Sequence, residues 1–162
     1  EYRRQRQMCI RDRENVMLPL EAHTDLPPEG RAEIARTKLG LVGLSEAANR
    51  LPAEISGGMA KRAGIARAMA LDPPLLFLDE PSAGLDPITS AGLDQLIKDF
   101  ARDLGTTFVV VTHELQSILN IGDRCIMLDK AAKGVIAQGR PGDLRADPPN
   151  DTVRHFFRRE AE

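Results

Sequence analysis

Two kinds of hydrophobic pattern alternate along the chain, and their order predicts an α/β fold. Apolar runs within residues 75–79 and 107–112 are typical of strands that are covered on both faces of a sheet. Between them, residues 89–104 carry apolar side chains at helical spacing, and Gly105 provides a stop. A strand, a helix and a second strand in this order predict a mostly parallel sheet with flanking helices.

The remaining pattern predicts helices before this sheet and smaller elements after it. We expect a short helix after Glu14 that Pro19 interrupts, and helices at residues 31–43 and 56–71. A helix at 114–120 and strands at 124–129 and 135–138 follow. The predicted segments are an arginine-rich prefix (1–13), a helical subdomain (14–72), an α/β core (73–148) and a tail (149–162). We expect the prefix to make few core contacts.

Composition excludes several classes of protein. The net charge of −2 argues against a dedicated nucleic-acid binder, which is usually basic. Two cysteines do not provide a disulfide framework and favour a reduced, intracellular protein. The apolar runs are far shorter than the roughly 18 residues of a membrane-spanning helix. Any role at a membrane is therefore expected to depend on a partner.

The first candidate site is the start of the helix at Ser56. The first N–H groups of a helix lack partners within it, and the helix dipole makes this end positive. Gly57 and Gly58 place no side chain in front of these groups, and the Ser56 hydroxyl can add a hydrogen bond. The segment therefore predicts an anion site. Taken alone, it fits an ordinary capped helix far better than an anion site.

The second candidate site is the pair of carboxylates after the strand at 75–79. Asp79 and Glu80 stand at the carboxyl end of the apolar run. Adjacent carboxylates can take separate tasks in phosphoryl transfer, which needs positioning and charge neutralisation. An acidic strand end that caps a neighbouring helix is the structural alternative.

Together with two further motifs, these segments resemble the ATP-binding subunits of ABC transporters. The family signature is usually written L-S-G-G-Q, and this chain has Ile55 and Met59 at its first and last positions. The further motifs are the segment 83–86, which resembles the family's D-loop, and His113 after the second apolar strand. The order of all four motifs is that of the family.

The resemblance implies a role for each motif residue. Ser56, Gly57 and Gly58 face the phosphates of a nucleotide bound by a second subunit, and Asp86 lies at the subunit interface. Asp79 holds Mg²⁺ through water, Glu80 orients and deprotonates the attacking water, and His113 contacts the γ-phosphate. The implied cofactors are ATP and Mg²⁺.

The phosphate-binding P-loop of the family is absent from the sequence, because no Gly-Lys dipeptide occurs in it. We therefore expect a partial ABC-type fold, an N-terminally truncated reading without the P-loop portion. The chain by itself is expected to be inactive in ATP hydrolysis. Apolar sheet surface that the missing strands would cover is expected to be exposed.

The resemblance also implies partners and a location. They are a second nucleotide-binding subunit in a homodimer, transmembrane permease subunits and no nucleic acid, on the cytoplasmic face of the inner membrane. The motifs look most like lipid-trafficking transporters of the Mla or organic-solvent-tolerance type. Two alternatives stay open. One is a soluble, non-transport ABC ATPase, and the other is a non-catalytic module that supplies only the signature surface.

Overall fold

The computed structural model describes residues 10–158, and these divide into two units between Val111 and Thr112. The first contains α1 (Asp12–His23), α2 (Pro28–Leu41), α3 (Gly57–Ala68), β1 (Leu75–Asp79), α4 (Pro87–Leu104) and β2 (Thr107–Val111). Short 3₁₀ helices at Ser45–Ala47 and Pro52–Glu54 connect α2 to α3. The second contains α5 (Leu115–Ile121), β3 (Cys125–Asp129), β4 (Gly134–Gly139), α6 (Pro141–Ala146) and α7 (Asp151–Arg158). No helix in the described part of the chain combines the length and hydropathy needed to cross a membrane.

The two strands of the first unit pair in parallel, as predicted. Leu75 lies opposite Thr107 and Asp79 lies opposite Val111, with α4 as the crossover. In the second unit, β3 and β4 form an antiparallel hairpin, and each sheet of the described residues has two strands. The α/β assignment is therefore confirmed, with one parallel pair and one hairpin.

The faces of β1 differ in a way that its composition did not predict. Leu76 is 7% exposed and packs into the core, whereas Phe77 on the other face is 70% exposed. The open face also carries Leu75, Val109 and Val111. The expectation of a strand covered on both faces is wrong here, because no element of the first unit among the described residues covers this face. The expectation of exposed apolar sheet surface is confirmed.

The main core forms where α1, α2 and α3 pack together beside the sheet. Val16, Leu20 and Leu39 are almost completely buried there. The prediction that Pro19 interrupts the first helix is wrong, because α1 continues through it to His23. Burial of Val16 and Leu20 on either side of Pro19 offsets the backbone hydrogen bond that proline cannot donate.

The arginine-rich prefix falls mostly outside the described residues, which begin at residue 10. Its last two residues differ from the expectation of few core contacts, because they form the first turn of α1. The Asp12 N–H donates to the Arg50 carbonyl and the Arg13 N–H to the Ala48 carbonyl, both at 3.0 Å. Asp12 is buried, and burial raises the pKa of its carboxyl above the ordinary value.

Candidate nucleotide-binding site

The start of α3 is open to solvent. Ser56 and Gly57 are exposed, and the Ser56 hydroxyl oxygen accepts a hydrogen bond from the Met59 N–H at 3.2 Å. The Ser56 carbonyl accepts the first intrahelical bond, from the Ala60 N–H. The amides of Gly57 and Gly58 belong to the first turn, where no earlier helical carbonyl can pair with them. This end of α3 therefore has the chemistry of an anion site.

The two glycines at this helix start serve different purposes. A Cβ added at Gly57 would meet nothing within 4 Å, so this glycine leaves the approach to the amides clear. A Cβ added at Gly58 would lie only 2.5 Å from the Thr89 methyl carbon Cγ2. Gly58 is buried, and its lack of a side chain lets α3 pack closely on the start of α4.

The segment after β1 is held tightly by its backbone. Asp79 is exposed at the strand end, and Glu80 follows with a φ of 45°, in the left-handed region. The Glu80 N–H donates to the Val111 carbonyl at 2.8 Å and so continues the contacts of β1 with β2. The Glu80 carbonyl accepts from the Ala83 N–H at 3.2 Å and from Lys61 Nζ at 3.0 Å. A non-glycine residue keeps such a conformation only where its surroundings enforce it.

Asp86 is the N-cap of α4. Its carboxylate accepts hydrogen bonds from the Ile88 and Thr89 amides at 3.1 and 3.0 Å, and from the Thr89 hydroxyl at 2.5 Å. The hydroxyl of Thr89, followed by its amide, lowers the pKa of the Asp86 carboxyl below the ordinary value. The residue is exposed. This geometry is that of a helix cap, and it also fixes the loop in front of α4.

The first unit thus gathers most of the residues that the motifs singled out around one helix. Thr89 contacts Gly58 and bonds to Asp86, and Lys61 of α3 bonds to Glu80. His113 lies in the second unit, just after the division at Val111, and is exposed.

Sequence reasoning missed Lys61 and Thr89. Thr89 had a signal, because it stands three positions after Asp86, and an N-cap side chain commonly accepts a hydrogen bond from the N–H of that position. Lys61 had none. It resembles any polar residue on the outer face of a helix, and its contact with Glu80 depends on how α3 packs beside β1.

The oxygen donors of the strand end suit a hard cation. Mg²⁺ keeps several of its waters and is usually held by one or two carboxylates together with substrate phosphates. The exposed carboxylate of Asp79 fits that requirement. Among residues 10–158 no cluster of three or more His, Cys, Asp or Glu could hold a metal alone.

Comparisons with known proteins agree with the fold and with the family resemblance. The family model described as ABC transporter matches residues 2–83, which is half of the chain. This chain belongs to the ABC transporter family. Its α/β fold is that of the solved ATP-binding cassettes. The dimeric cassette MJ0796 bound to ADP and Pi superposes with a TM-score of 0.72 at 33% identity, over 83% of this chain and 58% of that one. CbiO1 from Clostridium perfringens superposes with a TM-score of 0.76 at 25% identity, over 85% and 54%.

Curated relatives carry two different transport names. The chain is 44% identical over 144 residues to the intermembrane phospholipid transport system ATP-binding protein MlaF of Escherichia coli K12. That match covers 89% of this chain and 52% of the relative. The methionine import ATP-binding protein MetN of Haemophilus influenzae is 37% identical, over 90% of this chain and 41% of the relative. The chain spans about half the length of the curated relatives that it matches.

Proposed function

We propose that this chain acts as part of the ATP-hydrolysing subunit of an ABC transporter, to which it contributes the signature surface and the catalytic carboxylates. The observation that carries the proposal is the arrangement around α3. Its open start at Ser56 and Gly57 and the fixed backbone of Glu80 belong to one unit and are joined through Lys61. One surface is built to receive phosphate, and the other to hold a carboxylate in place.

The proposed chemistry divides the roles among the motif residues. Glu80 accepts the proton of the attacking water, since a carboxylate within hydrogen-bond reach of water can act as a general base. Asp79 would hold Mg²⁺ through water, and the ion would supply neutralisation of charge on the phosphates. His113 contacts the γ-phosphate. Ser56, Gly57 and Gly58 donate to the phosphates of the nucleotide that a second subunit holds.

The proposed partners follow from the open end of α3. In this arrangement Ser56 and Gly57 complete the nucleotide site of a second subunit, and Asp86 fixes the loop at the subunit interface. The dimeric form of the related cassette with ADP and Pi supports this proposal. Permease subunits complete the transporter and hold it on the cytoplasmic face of the membrane.

The proposed cargo is a lipid or another hydrophobic molecule. The name of the phospholipid-transport relative supports it, and the methionine-import relative is the competing indication. The deciding measurement is mass spectrometry of the tagged protein purified with its membrane complex from its own host. Recovery of a lipid-binding permease partner supports lipid transport, and recovery of an amino-acid permease contradicts it.

The experiment on catalysis compares two proteins. The 162-residue chain has no Gly-Lys phosphate loop, so calorimetry should detect no micromolar ATP binding, and no sustained phosphate release should occur with Mg²⁺. The second protein, here called the MlaF chimera, joins residues 14–162 behind the P-loop-bearing part of the Escherichia coli relative. It should bind and hydrolyse ATP. Sustained turnover by the chain alone, or binding without hydrolysis by the chimera, contradicts the proposal.

A further inference from the structure

Lys61 makes a contact with Glu80 that none of the motifs explains. It lies in the second turn of α3, half-buried, and its Nζ donates to the Glu80 backbone carbonyl at 3.0 Å. The two residues are 19 positions apart, so the bond depends on tertiary packing. Hydrogen bonds from an ammonium group are shorter and stronger than those from neutral donors.

The peptide units on both sides of Glu80 are thereby fixed. Its N–H donates to Val111 on β2, and its carbonyl accepts from Ala83 and from Lys61. Its φ of 45° is unusual for a residue with a Cβ and persists only under such constraint. The bond to Val111 comes from the neighbouring strand β2, and the bond to Ala83 comes from the turn that follows Glu80. Lys61 is the link that comes from α3.

We propose that Lys61 is a positioning residue for Glu80. It holds the left-handed backbone of Glu80, aims the carboxylate, and ties its position to the helix whose first residues form the proposed phosphate surface. The role in hydrolysis rests on the proposed function, whereas the role in holding the backbone does not. Because α3 is a continuous helix from Gly57 to Ala68, a shift of its first turn is transmitted to Lys61 about one turn later.

Three variants separate this role from general effects of charge and folding. Lys61→Met keeps the aliphatic stem and removes the donor, and Lys61→Arg restores a charged donor. Lys130→Met removes a lysine charge from an exposed position in the second unit and is the matched control. Lys130→Met also tests whether the loss of any lysine charge is sufficient to change amide exchange at Glu80 or ATP turnover.

The first measurement is amide hydrogen exchange by NMR on the 162-residue chain. In Lys61→Met the amides of Glu80 and Ala83 should exchange at least about tenfold faster, because local opening of this turn becomes easier. The amides of the β1–β2 ladder should keep their wild-type rates. Lys61→Arg and Lys130→Met should resemble the wild type. Unchanged exchange at Glu80 and Ala83, or equal acceleration throughout β1 and β2, overturns the proposal.

The second measurement uses the MlaF chimera. Lys61→Met should lower kcat at least about tenfold with KM for ATP changed by less than about twofold, the signature of an interaction needed in the transition state. Lys61→Arg should recover most of kcat. An unchanged kcat beside accelerated exchange overturns the positioning role. If the wild-type chimera hydrolyses no ATP, the proposed function fails, and the exchange result alone decides whether Lys61 holds Glu80.

Discussion

The amino-terminal end of α3 and the carboxyl end of β1 belong to the same unit, but the first is open to solvent and the second is held by hydrogen bonds. At the start of α3, Ser56 and Gly57 are exposed, whereas Gly58 is buried. At the end of β1, the backbone of Glu80 is bonded at both its N–H and its carbonyl. This difference fits the proposal that another molecule completes the first surface, whereas hydrogen bonds within the chain hold the second. Four predictions test that contrast.

The largest effect is expected at the fixed end. In the MlaF chimera, Glu80→Gln should lower ATP turnover at least about 100-fold while ATP binding stays close to the parent value, since an amide cannot accept the proton of water. Phosphate release and calorimetry on the same preparation measure the two properties. The control is Glu46→Gln, an exposed carboxylate in a 3₁₀ helix. Turnover near the parent rate would exclude Glu80 as the base.

The next effect distinguishes the two glycines at the open end. Gly58→Ala should lower the free energy of unfolding by about 1–3 kcal/mol, because the new methyl collides with Thr89 and α3 must move away from α4. Gly57→Ala enters open space and should change it by no more than about 0.5 kcal/mol. Urea titration of both variants measures the difference. Equal losses would show that the packing of α3 on α4 does not require Gly58.

A smaller effect is expected at the cap of α3. Ser56→Ala removes the acceptor for the Met59 N–H and should destabilise the chain by about 1 kcal/mol. Ser56→Asp keeps an acceptor at the same position, so this variant should lose little stability. The same urea titration applies. If Ser56→Ala loses no stability, the hydroxyl contributes nothing measurable to capping the helix.

The smallest effect is a shift in titration at Asp86. Thr89→Val keeps the methyl group against Gly58 and removes the hydroxyl donor, so the pKa of Asp86 should rise toward its ordinary value. A depressed folded pKa stabilises the chain above the unfolded value of about 3.9, and this is lost as the pH falls through the folded pKa. Carboxyl NMR titration measures the shift. Thr89→Ser, which retains the hydroxyl, should titrate like the wild type.

Local patterns predicted the elements and the motif positions well, because each depends on neighbours in sequence. Ser56 stands at a helix start, and β1 pairs in parallel with β2, as the apolar runs and the capping residue indicated. The continuation of α1 through Pro19 was not predictable from the local pattern, since packing of the surrounding residues decides it. The exposure of Phe77 was also not predictable from the sequence. The composition of a strand indicates that it can be buried, but not whether another element covers it.

The parts of the site that sequence reasoning missed are those that join different elements. The bond from Lys61 to Glu80 and the contact of Gly58 with Thr89 exist only once α3 has packed beside β1 and α4. The resemblance to a family suggested a role for each motif residue separately. It did not suggest the contacts that join α3 to β1 and to α4.

The parallel pairing of β1 with β2 determines the order in which the first unit can fold. A hairpin closes through a short turn, but these strands align only after the whole of α4 has been placed between them. Such distant contacts are slow to form, since the chain loses loop entropy before it gains any pairing. We expect α4 and the helices before β1 to organise first and the strand pair to close last. The turn at Glu80, which depends on Val111, is therefore among the last features to acquire its native geometry.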